Sequence, residues 1–306
     1  MSDDGAAVAT APLVRAMLEE LAEFGLPLIE HAEDATLAAG AVMRAGPIAT
    51  RLGLPGWPAS AELAIVERDI ALAEETGGWL HVTHLATAGA LEAIRRAKSR
   101  GVRVTCDVTP HHLALTDSWV AGSRQYAWEE PTGVAAEPFS FPLDAGLAYD
   151  PSCRVNPPLA SRADALALLA GVADGTVDAI ATDHAPHPRE RKAIEFGAAA
   201  PGMIGLETAL SLGLAAVEAG RLTLLRLLGA LGAGPAALIG ESRSLLRGAP
   251  ADLVVFDPAA RWRVEASSLA SRSSNTPLLG MEVPGVVRLT VADGRITYQD
   301  GLLGRP

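Results

Sequence analysis

What most constrains this chain is a set of four short apolar segments, each separated from the next by a stretch long enough to hold a helix. They are Leu26-Pro-Leu-Ile-Glu-His31, Trp79-Leu-His-Val-Thr-His84, Gly101-Val-Arg-Val-Thr-Cys-Asp-Val-Thr-Pro-His-His112 and Val177-Asp-Ala-Ile-Ala181. Runs this short and this apolar read as buried parallel strands. Helical spacing predicts helices at about 59–76, 88–99 and 162–174, and another at 7–24 that stops at Gly25. Strand and helix alternate, so the pattern is a βα series joined by right-handed crossovers. Four strands are half of what a (β/α)8 barrel needs, and half a barrel leaves two strand edges open.

Two stretches break the alternation. Residues 121–149 are rich in Gly, Pro, Glu and aromatics without periodicity, as in a lid or an insertion. From Ala251 onward, Asp252–Asp257, Val286–Val291 and Gly294–Tyr298 read as strands of a small β subdomain. The expected division is a partial barrel over 1–245, with an insertion at about 121–150, and a β subdomain over 246–306. A 49% hydrophobic and 20% charged composition requires a folded chain. The net charge of -11, with no basic block, argues against nucleic acid or an anionic membrane as partner. With only Cys106 and Cys153, a disulfide scaffold or cysteine-rich zinc site is excluded. No signal peptide or spanning segment is visible, so the expected compartment is the reducing cytoplasm.

The strand ends carry the polar chemistry. Asp183-His-Ala-Pro-His187 follows the fourth strand, and Pro186 and Pro188 forbid regular structure immediately after it. His31 ends the first strand and His84 the second; His81, three residues earlier, faces the opposite side and cannot serve the same site. His111 and His112 end the third and could contribute to a site, but packing and hydrogen bonding around Pro110 explain them equally well. Asp34 is positioned to cap an Ala-rich helix, and Glu62 lies in the first turn of another. Asn156, in Arg154-Val-Asn-Pro-Pro-Leu159, is a turn asparagine or a ligand-binding amide. Gly202-Met-Ile-Gly205 precedes a helix whose free N–H groups suit an anion. Singly, each has an ordinary explanation as a cap, a turn or a core histidine. Jointly, Asp4, His31, His84 and Asp183, with His187 and Asn156 nearby, suit zinc in an open catalytic site.

These motifs resemble the dihydroorotases of the amidohydrolase superfamily. The matching stretches are Ser2-Asp-Asp-Gly5, His31-Ala-Glu-Asp34, His81-Val-Thr-His84, Val108-Thr-Pro-His-His112, Val155-Asn-Pro-Pro-Leu159, Thr182-Asp-His-Ala-Pro-His187, Gly205-Leu-Glu-Thr208 and Asn275-Thr-Pro277, in the family's order. The resemblance implies the C-terminal half of a TIM-like amidohydrolase barrel and a site for two zinc ions. His31 and His84 would bind one zinc, and Asp183 the other. Asp4 matches the carboxylate that bridges or flanks the metals in the family's bacterial type, where hydantoinases and allantoinases carry a carbamylated lysine. Asn156, His187 and the backbone near Gly202 match substrate-binding positions. The implied reaction interconverts dihydroorotate and carbamoyl-aspartate in pyrimidine synthesis. Asp183 would take the attacking water's proton and return it to the leaving ring nitrogen.

Two departures qualify the match. The family's His-x-His pair occurs nowhere in the chain, and Ala160 stands where an arginine is expected after Pro-Pro-Leu. Met1 abuts the Ser-Asp-Asp-Gly motif, so the expectation is a chain lacking upstream strands, prone to aggregate through open edges and at most weakly active alone. A hydantoinase- or allantoinase-like cyclic amidase is one alternative. A non-catalytic homologue that scaffolds aspartate transcarbamoylase is another, and a homodimer is the further assembly to consider.

Overall fold

The computed structural model describes residues 1–3, 5, 7–137, 146–241, 244–300 and 302–303. The Ala11–Phe24 helix buries Val14 and Leu18 and ends at Gly25, whose φ of 68° closes the helix with bonds back to Leu21 and Ala22. The strands, in chain order, are β1 Pro27–Glu30, β2 Met43–Arg44, β3 Gly56–Trp57, β4 Trp79–Val82, β5 Val104–Val108, β6 Ala179–Ile180, β7 Leu253–Arg263, β8 Glu282–Ala292, β9 Arg295–Gln299 and β10 Leu302–Leu303. β1, β4, β5 and β6 form one parallel sheet in that order. Register aligns Leu28 with Leu80, Leu80 with Val104, and Val108 with Ile180, so the C-terminal ends of all four strands open on one rim.

Helices Ser60–Thr76, Ala88–Ser99 and Arg162–Asp174 cover this sheet, as the periodicity predicts. Leu18, Leu28, Leu80, Leu91, Ile94 and Leu168 are completely enclosed in the resulting core, each contributing roughly 1.5–3 kcal/mol by leaving water. Close helix contact depends on Gly171: a Cβ there would lie 2.8 Å from Leu91 Cδ2. The tail forms an antiparallel sheet in the order β10-β9-β8-β7, with strands β7 and β8 longer than the sequence pattern predicts. Helix Ala209–Glu218 joins it to the rest, with Trp262 Nε1 donating to Ser211 Oγ at 3.0 Å.

Three local expectations are corrected. No helix follows Asp34: its Oδ1 accepts from the Thr36 and Leu37 N–H groups, an Asx turn that draws the chain into turns instead. The third strand stops at Val108, because Thr109 and Pro110 start a short helix, Pro110–Ala114, in which Thr109 accepts from the His112 N–H. The helix after Gly202 begins only at Ala209. Within 121–149, the part up to Trp128 is packed down: Ala127 N–H donates to Ala114 O, and Trp119, Tyr126 and Trp128 stack in series, while Glu129, Glu130, Thr132 and Glu137 are exposed.

Glu62 does lie in a first helical turn, but it is only 1% exposed and accepts from the Ala86 N–H at 2.7 Å. Burial raises its carboxyl from 4.5 to about 7. A raised folded pKa means that the neutral form stabilises the fold fully below pH 4.5, and this is lost as pH rises through about 7. Glu62→Gln is therefore expected to raise stability at pH 8 by roughly 1–3 kcal/mol and to leave it nearly unchanged at pH 4.5. Urea unfolding of both proteins at the two pH values checks this; an equal shift at both removes the titration as its cause.

Candidate functional site

β1 delivers His31 to the rim as a ring that is 2% exposed. Its backbone N–H donates to Asp3 Oδ1 at 2.7 Å, which anchors the strand's exit. Its Nδ1 faces His84 Nε2 at 2.9 Å, with the two rings edge to face at 81°. Its other nitrogen, Nε2, lies 2.9 Å from Glu33 Oε2. Two imidazoles from adjacent strands thus converge nitrogen to nitrogen.

His84 follows β4 in the left-handed backbone region, at φ 39°, and Asp183 follows β6 in the same region, at φ 47°. Such residues cost of order 1–3 kcal/mol and persist where the surroundings hold them, often at functional sites. For His84 the restraint is Asp107 on β5, whose Oδ1 accepts the His84 N–H at 2.8 Å. Its Oδ2 takes His81 Nε2 at 2.9 Å and Thr83 Oγ1 at 3.0 Å. His81 Nδ1 also meets Thr105 Oγ1 at 2.9 Å, so its ring is engaged by β5. His112 bonds Thr109 Oγ1 and the Pro157 carbonyl, the packing role considered for it.

Asn156 joins the histidine pair: its Nδ2 donates to Glu33 Oε2 at 2.8 Å and lies 3.5 Å from His31 Nε2. Glu33 and Asn156, with Val42, Trp57, Arg154 and Pro201, line a cleft of about 110 Å³. Arg154 is half-buried there, and desolvation lowers its pKa; its side chain donates to the Ala199 and Val42 carbonyls.

His187 and Gly202 form a second group. His187 Nε2 bonds the Pro201 carbonyl at 2.8 Å, and its N–H reaches Asn275 Oδ1 at 3.3 Å. Gly202, at φ 126°, donates its N–H to Arg154 O, and its carbonyl accepts from Asn275 Nδ2 and Lys192 Nζ. A Cβ on Gly202 would stand 2.5 Å from Ala185 Cβ and 3.0 Å from His187 Nε2, so glycine is what lets the two loops approach. Lys192, lowered to about 8 by burial, also holds the Ala200 and Arg154 carbonyls. The N–H groups of Gly205 and Leu206, expected to await an anion, are taken by His184 Nδ1.

Asp4 lies outside the described residues. Among the described residues, no group of three or more His, Cys, Asp or Glu side chains stands ready for a metal. The converging nitrogens nevertheless have the character of metal donors: two imidazoles face each other, and one carries a carboxylate on its far nitrogen, the usual support for a ligating histidine. Glu33 stands at the end of the first strand in the sequence, but sequence reasoning gave no role to it, to Asp107 or to Asp3. A carboxylate two residues beyond His31, and another inside an apolar strand, were the signals available.

A profile of the amidohydrolase family matches residues 1–297. A dihydroorotase of Anaeromyxobacter dehalogenans is 47% identical over 306 residues, covering 100% of this chain and 65% of its own length. A dihydroorotase of Citrifermentans bemidjiense is 42% identical over 300 residues, 98% of this chain and 65% of its own. Among solved structures, an L-hydantoinase (dihydropyrimidinase) from Arthrobacter aurescens is similar with a TM-score of 0.79 and 27% identity, over 100% of this chain and 64% of that one. A D-hydantoinase from Thermus sp. is similar in fold, with a TM-score of 0.75 at 24% identity, over 95% of this chain and 61% of that one. The chain thus spans 65% of the length of these curated relatives. The expected α/β barrel architecture with a small C-terminal sheet agrees with the Arthrobacter likeness.

Proposed function

The chain belongs to the amidohydrolase family, and on that premise we propose that it forms part of a zinc-dependent dihydroorotase, catalysing reversible opening of dihydroorotate to carbamoyl-aspartate. The observation that carries this reading is the convergence of His31 Nδ1 and His84 Nε2 at 2.9 Å on the barrel rim, with Asp183 on the same rim. The 47% identical relative supports dihydroorotate over hydantoins, which are the substrates suggested only by more distant structural neighbours.

In this reading residues 1–245 carry the site, with 121–150 as an insertion, and residues 246–306 form a β subdomain. His31 and His84 hold one zinc, and Asp4 and Asp183 the carboxylate side of a two-metal site. When bound, zinc supplies a Lewis acid that polarises the ring amide and acidifies water. Asp183 takes the proton of the attacking water and passes it to the ring nitrogen as the C–N bond breaks; in ring closure it runs the transfer backwards. Asn156 orients the substrate from the cleft, while His187 and the tight loop at Gly202 close the opposite side. No helix among the described residues is long and apolar enough to cross a membrane, which is compatible with a cytoplasmic setting.

The test is zinc content and turnover of dihydroorotate, hydantoin and allantoin, on this chain and on the chain preceded by its upstream in-frame sequence. The expected result is zinc binding with preference for dihydroorotate, strongest in the longer protein. Preference for hydantoin would move the assignment to a hydantoinase. A folded, zinc-replete protein that opens none of the rings, yet co-purifies with aspartate transcarbamoylase, would establish the scaffold reading instead.

A further inference from the structure

We propose that Glu33 is the positioning residue of this site: its Oε2 takes the ring N–H of His31 and the amide N–H of Asn156 together, which points the His31 lone pair at His84 and turns Asn156 Oδ1 toward the ligand as an acceptor. This rests on the reading above, since it concerns residues assigned there to metal and substrate.

Glu33 Oε2 is 2.9 Å from His31 Nε2 and 2.8 Å from Asn156 Nδ2. A glutamate side chain is ordinarily a carboxylate at neutral pH, with no proton to give, so both neighbours donate to it.

Two consequences follow. The His31 proton sits on Nε2, and in the neutral ring the lone pair is on Nδ1, the atom facing His84 Nε2. The other tautomer would set a lone pair against the carboxylate and a proton where a cation has to bind. Second, the Asn156 amide cannot flip, because flipping would bring Oδ1 against Glu33. Its Oδ1, which has no partner among the described residues, is left for a ligand in the cleft it shares with Trp57 and Arg154. An oriented acceptor selects a ring N–H and repels a carboxylate. Asn156 therefore meets the N–H edge of a cyclic amide, and the substrate's carboxylate must bind elsewhere.

The experiment compares wild type, Glu33→Ala and Glu33→Gln. Long-range nitrogen–proton NMR correlations on the metal-free protein report the His31 tautomer, and competition with a chromophoric chelator reports zinc affinity. Wild type is expected to show the Nε2–H form. Glu33→Ala is expected to give mixed tautomers and about 10- to 100-fold weaker zinc binding, the usual cost of losing a ligand's outer partner. Glu33→Gln, whose carbonyl still accepts both N–H groups, is expected to keep the tautomer and most of the affinity, which separates positioning from loss of fold. The proposal is overturned if Glu33→Ala keeps both the Nε2–H form and wild-type zinc affinity, or if Glu33→Gln loses the tautomer as fully as alanine does. If wild type binds no zinc while Glu33→Ala still changes the tautomer, the positioning role stands and the zinc assignment fails.

Discussion

Asp183→Asn is expected to lower kcat for dihydroorotate by about 10²- to 10⁴-fold, with a much smaller change in KM. The substitution keeps the side chain's size and one oxygen but removes the group that accepts and returns the proton. It also suits the backbone: Asp183 lies at φ 47°, a region that asparagine and aspartate enter more readily than most residues with side chains. Alanine at this position adds backbone strain to the chemical loss, so Asp183→Ala is the weaker test. The measurement is steady-state kinetics in both directions of the reaction, with zinc content determined for each preparation. Because one carboxylate serves both, kcat itself is expected to fall in ring opening and in ring closure alike. A variant with normal zinc content and kcat within a few-fold of wild type would remove Asp183 from the proton path. Loss of zinc in step with kcat would identify it chiefly as a ligand.

The frame of the fold was legible because its signals are local. Apolar runs of strand length, alternating with helices that stop at Gly25 and Gly77, specify βα units without long-range information. The same logic placed His31, His84 and Asp183 on one rim, since parallel strands share their C-terminal ends. Partnership across the chain was not legible. Glu33 and Asn156 are 123 positions apart, and nothing near either one indicates that they share a hydrogen bond. Asp34 shows the limit of local reasoning as well: the same carboxylate suits a helix cap or an Asx turn, and here the turn prevails. The left-handed backbone at His84 and Asp183 was unreadable for a plainer reason, since neither is glycine and only surrounding contacts make the conformation tolerable. Asp107 is the instructive omission. A carboxylate in an otherwise apolar buried strand requires partners, and that requirement alone marks it as structurally committed.

That commitment yields the other large effect. Asp107→Ala is expected to destabilise the fold by about 3–5 kcal/mol, the cost of leaving buried partners of a charge unsatisfied. Asp107 is 4% exposed and serves three donors at once: the His84 N–H, His81 Nε2 and Thr83 Oγ1. A methyl group satisfies none of them, and the space left is too enclosed for easy replacement of all three bonds. The loss is a large share of the roughly 5–15 kcal/mol that holds an ordinary domain together, so equilibrium urea unfolding reads it as a clear fall in midpoint. The bond to the His84 N–H also secures the strained turn that aims His84 at His31, so weaker zinc binding is expected wherever the variant remains folded. Asp107→Asn separates the two effects. Its remaining oxygen can keep the His84 bond, while its amide nitrogen opposes His81 and Thr83; stability should fall by about 1–3 kcal/mol, with zinc affinity largely retained. An unchanged urea midpoint for Asp107→Ala would mean that this carboxylate does not hold the end of β4, and the restraint on His84 would have to be sought in another contact.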